Sequence, residues 1–182
     1  MSRAPETMAE TLELAVWQAL AGVRDPEIPP LSIVQLGIVE RVVVTEQAIE
    51  VDLLPTFAGC PALDVIREDA EAAVRSVAEG RSANVRFVFS PAWTSDRITP
   101  EGRAALRSYG LTPPGSGGYR PPLIPLGELT RRHPAEAGAT CPFCGSRDTV
   151  LESAFGPTLC RTTHFCRSCR NPFEAFKPKG QE

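Results

Sequence analysis

Four cysteines fall in two closely spaced pairs, Cys141-Pro142-Phe143-Cys144 and Cys166-Arg167-Ser168-Cys169, with 21 residues between the inner members. Two such knuckles supply four thiolates, the ligand set of a closed tetrahedral zinc site. With all four positions filled, no coordination site is left to activate water, so the expected metal is structural zinc. Cys160 and His164 do not fit that count. Cys160, Thr162, His164 and Cys166 share strand parity and are expected on one face. Two readings stay open for them: a small buried cysteine with a half-exposed histidine, or a fifth thiol that exchanges metal.

The sixth cysteine, Cys60, stands in Pro55-Thr56-Phe57-Ala58-Gly59-Cys60-Pro61. Pro61 suits a first helical position, where a missing N–H costs nothing, which makes Cys60 the expected N-cap. A sulfur beside the free N–H groups of a helix start favours the thiolate, the form that attacks electrophiles and binds soft metals. Asp64 and Glu68 act in the opposite direction, and Gly59 lets the backbone bend before the sulfur. Against this stands the alternative of an inert buried cysteine behind a tight turn. Thr56 is a candidate site hydroxyl, although strand-end threonines commonly bond nearby backbone.

The elements that must position these groups are read as follows. Leu12, Val16, Ala19, Leu20 and Val23 recur at helical spacing, predicting a helix over 9–23 that Asp25-Pro26 stops. The stretch Asp25-Pro26-Glu27-Ile28-Pro29-Pro30 is too proline-rich for a regular element, and 32–37 reads as a turn or short helix. Strands over 38–45 and 48–54, joined by a short turn, predict an antiparallel hairpin. A helix launched by Pro61 buries Leu63, Ile66, Ala70, Ala73, Val74 and Val77, and Gly80 ends it. A strand over 85–89 and a helix opening at Thr99-Pro100-Glu101 complete the order α-β-β-α-β-α, with helices covering one sheet face. The fold class is α+β. Three parts are expected: a main domain over 9–112, a linker over 113–139 and a cysteine-bearing ribbon over 140–177.

Six prolines and five glycines in its 27 residues make the linker semi-extended, with Leu123, Ile124 and Leu126 available to strap it down. The ribbon is too short for a self-sufficient core and needs a staple. Strands over 151–155 and 159–165, turning at Gly156-Pro157, bring the knuckles together.

At 182 residues the chain holds one modest domain plus an appendix. Residues 1–112 carry 10 arginines against 16 acidic residues, a net −6, while residues 113–182 carry a net +3. The acidic main domain argues against a nucleic-acid surface. Neither a basic-then-apolar leader nor an 18-residue apolar run is present, so no membrane association is expected. Clustered thiols without an export signal read as metal binding in the cytoplasm.

Asp25-Pro26-Glu27 with Ile33, Leu36-Gly37-Ile38-Val39, Thr56, Gly59-Cys60-Pro61 and Pro91-Ala92-Trp93 together resemble the iron–sulfur assembly domain of bacterial SufT and of eukaryotic cytosolic iron–sulfur targeting factors. The likeness covers roughly 12–112. Gln35 stands where that family commonly has an acidic residue, so no carboxylate role carries over. With the ribbon, Glu152-Ser153-Ala154-Phe155-Gly156-Pro157-Thr158-Leu159-Cys160 and Pro172-Phe173-Glu174-Ala175-Phe176-Lys177, the chain resembles the PaaD family. Pro157 replaces an expected small hydroxyl residue.

The resemblance implies a role beside the bacterial phenylacetyl-CoA epoxidase, a di-iron oxygenase with an iron–sulfur, flavin reductase. It implies transient iron or iron–sulfur handling at Cys60, and it implies partners among the oxygenase, the reductase and the iron–sulfur assembly machinery. In that setting Cys160 is a further candidate contact to a cluster. An exposed strand edge also offers a surface for a homodimer.

Three function classes follow: a maturation factor, a structural or regulatory subunit of the oxygenase, and an independent enzyme. No Ser/His/Asp order, phosphate-cradling loop, dinucleotide fingerprint or paired Glu-x-x-His motif supports the last.

Overall fold

The structure, a computed structural model, describes residues 4–115 and 139–177, with side chains from Ala9 onward. The chain divides into two compact units. One runs through Trp93 and includes Arg97–Gly102; the other holds Thr94–Asp96 and the chain from Arg103 on. Most of the segment expected as a linker, including Leu123, Ile124 and Leu126, lies outside the described residues. The fold is α+β.

In the first unit, α1 (Ala4–Gly22) begins earlier than the apolar stripe alone indicates and ends where expected. Leu12, Val16 and Leu20 are buried along its inner side, and Val23 just after it is buried as well. The proline-rich stretch after it is regular, contrary to expectation. β1 (Arg24–Asp25) and β2 (Ile28–Ser32) form a small antiparallel hairpin. Asp25 Oδ1 accepts the Glu27 N–H at 2.8 Å and folds the turn. Pro29 and Pro30 lie exposed on the strand, where proline is tolerated, while Ile28 and Leu31 point into the core.

β3 (Val39–Val44) and β4 (Ala48–Leu53) make the expected antiparallel hairpin. α2 (Leu63–Val77) then crosses over to β5 (Ser82–Phe87), which lies parallel to β4 with Val51 opposite Val85. β5 thus starts three residues before the expected strand. α1 and α2 pack on one another, α1 against β3 and α2 against β5, so both cover one sheet face. Ile49, Val51 and Leu53 alternate inward and are buried, as are Ile66, Ala70 and Val74 of α2.

On the other face Arg41, Asp52 and Arg86 stand side by side across the three strands. Arg41 Nη2 and Arg86 Nε reach the two oxygens of Asp52 at 2.7 and 2.8 Å. Burial raises the Asp52 pKa, but hydrogen bonds and charge from both arginines outweigh it and hold the carboxyl below its ordinary value.

The turn before β3 is clamped from a distance. Ser32 and Gln35 cap each other reciprocally, Gln35 Oε1 accepting the Ser32 N–H and Ser32 Oγ accepting the Gln35 N–H. Glutamine or glutamate fills that box equally well, which explains why an amide is tolerated where an acid was expected. The buried Trp93 indole donates to Leu36 O at 3.0 Å, and Arg97 Nε donates to Gly37 O at 2.9 Å. Gly37 has φ +69°, and a Cβ there would lie 2.3 Å from Arg97 O.

α3 (Pro100–Ser108) opens as expected, with Thr99 Oγ1 accepting the Gly102 N–H at 3.0 Å. In the second unit, β6 (Leu111–Thr112), β7 (Thr149–Ser153), β8 (Arg161–Cys166) and β9 (Pro172–Phe176) form one sheet in the order β6-β9-β8-β7. The hairpin β7–β8 matches expectation. β9 and the short parallel partner β6 add to it.

Two outcomes follow for stability. Gly37→Ala should lower unfolding free energy by about 2 kcal/mol or more in denaturant titration, since it adds both strain and a backbone clash. The depressed Asp52 pKa contributes stability that is present above the unfolded carboxyl value and lost as pH falls through the folded one. Asp52→Asn should therefore cost about 1.5–3 kcal/mol at pH 7, and its loss relative to wild type should shrink toward pH 2.

Candidate functional site

The two knuckles are built alike. Cys141 N–H donates to Ser146 O at 2.9 Å and its carbonyl accepts Gly145 N–H at 2.9 Å; Cys166 N–H donates to Asn171 O at 3.0 Å and its carbonyl accepts Arg170 N–H at 2.9 Å. Each turn is closed by a residue in the left-handed region, Gly145 in one and Arg170 in the other. Ser146 and Ser168 hydroxyls meet at 2.7 Å, and Arg167 N–H donates to Asp148 O, joining the two turns.

The sulfurs of Cys141, Cys144, Cys166 and Cys169 all lie within 4.8 Å of one another. The Cys141–Cys169 and Cys144–Cys166 separations are both 3.6 Å. A zinc ion with Zn–S bonds of about 2.3 Å would set tetrahedral sulfur–sulfur edges of about 3.8 Å. A disulfide would require about 2.0 Å. The donor set therefore fits a four-thiolate metal site. Cys141 and Cys166 are buried with Phe173 beside them, and Asn171 Nδ2 points at Cys169 Sγ.

Cys169 and Cys144 are shifted in opposite directions. Asn171's backbone, helped by the other three sulfurs, draws Cys169 down to about 7 against burial. Ser146's backbone pulls Cys144 the same way, but burial and its three sulfur neighbours push it up to about 12. A metal takes thiolates as ligands, so filling the site displaces thiol protons.

His164 is buried, not half-exposed. It stacks on Phe173 with centroids 5.3 Å apart. Thr162 Oγ1 lies 2.9 Å from His164 Nε2 and 3.2 Å from Ala175 O, so one hydroxyl joins the imidazole to the backbone of β9. Nδ1 is buried with no hydrogen-bond partner among the described residues. Burial lowers the His164 pKa, opposed by the charge of Glu152. Cys160 is half-buried in the turn before β8, with its sulfur 3.1 Å from Thr158 Oγ1, and it stands outside the four-sulfur group.

Cys60 is half-buried and in no disulfide. It is not the N-cap of α2. That position belongs to Ala62, in right-handed helical geometry and with no side-chain cap. Cys60 N–H donates to Phe57 O at 3.1 Å, and Leu63 N–H approaches Cys60 O at 3.4 Å. A separate turn holding Pro61 thus intervenes between the cysteine and the helix. Thr56 is buried just past β4, four residues before Cys60. Trp93 is a packing residue whose indole N–H is used by Leu36 O.

Sequence reading missed the Arg41–Asp52–Arg86 triad, whose only signal is matched parity on three strands not yet registered against each other. It also missed the buried Arg161, which pairs with Glu174 at 2.9 Å.

Comparison with known proteins finds two family matches in this chain. Residues 13–87 match the family described as iron–sulfur cluster assembly protein, and residues 127–177 match the PaaD zinc beta ribbon domain. The D component of the 1,2-phenylacetyl-CoA epoxidase of Escherichia coli K12 is 34% identical over 168 residues, covering 89% of this chain and 90% of that protein. The Fe-S protein maturation auxiliary factor YitW of Bacillus subtilis is 31% identical over 100 residues, 54% of this chain and 97% of its own. The crystal structure of a DUF59 domain from Bacillus anthracis superposes with TM-score 0.51 at 26% identity, covering 56% of this chain and 96% of that one. Among the described residues, no helix is long and apolar enough to cross a membrane. With an assembly domain, a four-cysteine ribbon and a relative that matches along most of its length, the chain belongs to the PaaD family of phenylacetyl-CoA epoxidase components.

Proposed function

We propose that this chain is a cytoplasmic accessory maturation factor for a phenylacetyl-CoA epoxidase system. Its cargo is an iron–sulfur cluster or iron bound for the reductase or oxygenase component. Cys60 is the sulfur that holds the cargo, with the Thr56 hydroxyl nearby in sequence. Cys141, Cys144, Cys166 and Cys169 hold a structural zinc. The observation that carries this reading is a half-buried cysteine in the β4–α2 turn, outside the four-sulfur group and in no disulfide, within a domain whose relatives are named Fe-S maturation factors. A lone thiol can bind a cargo and release it, whereas four converging thiolates hold their metal too tightly to act as a relay.

A second reading, a structural or regulatory part of the oxygenase, is favoured by the relative that spans most of the chain, which is named as a component of the epoxidase. Cofactor content separates the two. In a deletion strain complemented with Cys60→Ser, reductase or oxygenase isolated from the cells should carry markedly less iron than with wild type. Full iron content with that variant favours the structural role.

Purified protein should contain about one zinc per chain and lose it on acidification, as protons compete for the thiolates. Chelation should abolish the ribbon's protease resistance, and Cys141→Ser should do the same. Zinc-free protein with an intact ribbon would overturn the assignment of these four cysteines.

A further inference from the structure

The β7–β8 connection, residues 154–160, directs its apolar side chains outward. Phe155 is 76% exposed and Leu159 51%, and Leu151 of β7 is 43% exposed. Single exposed apolar residues need no explanation. What calls for one is that this loop is held rigidly while doing so.

Ser153 Oγ donates to Phe155 O at 2.8 Å and accepts its N–H at 3.0 Å. Gly156 N–H donates to Arg161 O, and Arg161 N–H donates to Thr158 O. A Cβ on Gly156 would come within 2.9 Å of Arg161 Cβ and 3.0 Å of its carbonyl, so only glycine fits against that buried, Glu174-paired arginine. Lys177 N–H donates to Cys160 O at 2.8 Å, and the Lys177 ammonium lies 5.3 Å from the centre of the Phe155 ring. The loop is preorganised, which lowers the ordering cost of binding.

We infer that this loop is a docking key for a partner protein: Phe155 and Leu159 enter an apolar pocket whose rim carries carboxylates facing Lys177. The cation over the ring decides the rim, because any pocket that receives Phe155 also receives a positive charge. The inference rests on the proposed maturation role, and it identifies the partner as the client. A general maturation factor is matched over 97% of its length by 100 residues of this chain, which leaves no room for this ribbon. The ribbon accompanies the assembly domain in the relative named for the epoxidase. It is therefore the part available to select one client among many.

The test uses the full-length zinc-loaded protein against purified oxygenase and reductase of a phenylacetyl-CoA epoxidase, by biolayer interferometry. Wild type should bind one of the two, with affinity falling as salt rises. Phe155→Ser combined with Leu159→Ser should weaken binding about tenfold or more. Gly156→Ala keeps both apolar side chains but displaces the loop, and it should weaken binding as well. Lys177→Glu should do the same through charge reversal. Zinc content and a thermal transition equal to wild type identify the variants that fold.

Undiminished affinity in the double variant overturns the inference, as does failure of wild type to bind either component. Loss of a homodimer in sedimentation as the variants' sole change also overturns it and assigns the loop to a second copy. Cys60→Ser should bind with unchanged affinity. If it binds and client iron content is also full, the maturation reading fails while the docking loop survives.

Discussion

The ribbon depends on four sulfurs being held closer together than four thiolates would choose to be. Residues 139–177 bury few large apolar side chains, chiefly Phe173 and Phe176, and a segment this short cannot offset its conformational entropy with apolar burial alone. The knuckle turns bring the sulfurs to 3.6 Å in two pairs, where shared negative charge opposes full ionisation. A divalent cation reverses the sign of that interaction. Repulsion becomes the closure of a loop, and the β7–β8–β9 pairings follow because both knuckles are tied to strand ends. His164 and Thr162 then complete a small polar seam on the same central strand as Cys166.

The assembly domain is held together by a different device. Its central turn, 33–37, comes early in the chain, yet its carbonyls are satisfied by side chains about sixty residues later. Trp93 and Arg97 donate into Leu36 and Gly37, and Arg97 also pairs with Glu40 at 2.7 Å. That long-range clamp fixes where β3 begins. Register then passes from β3 to β4 and so fixes where β4 ends, at the turn that carries Thr56 and Cys60. The motifs around Leu36-Gly37 and Pro91-Ala92-Trp93 are thus two halves of one structural joint, and the thiol turn is positioned downstream of it.

Much of this was legible because apolar period and turn residues agree. The stripe through Leu12, Val16 and Leu20 gives α1, the alternation Ile49, Val51, Leu53 gives β4, and Thr99-Pro100 gives the start of α3. The paired cysteines announce their own convergence. Three features escaped for physical reasons. The β1–β2 hairpin hides behind prolines because exposed strand positions do not need an N–H, and proline density alone cannot report which side of a strand faces out. Cys60 was expected at the cap because Pro61 suits a helix start. Proline suits a tight turn equally well, and the helix begins later, with Ala62 at its cap. His164 is buried because Phe173, on a strand the sequence did not reveal, stacks over it.

The two cysteine environments are opposites, and the difference bears on what each can do. At the ribbon's knuckles, each of the four sulfurs has three sulfur neighbours, so a bound metal is saturated and any incoming ligand must displace one already fixed by backbone hydrogen bonds. In the β4–α2 turn, Cys60 stands in no such group, half-buried in a segment that is neither strand nor helix. A closed site resists exchange, and an open one permits it. Joining the two in one chain lets the ribbon keep its metal while presenting a stiff outer loop. In the proposed role, tight metal retention and easy cargo release then never compete for the same thiols.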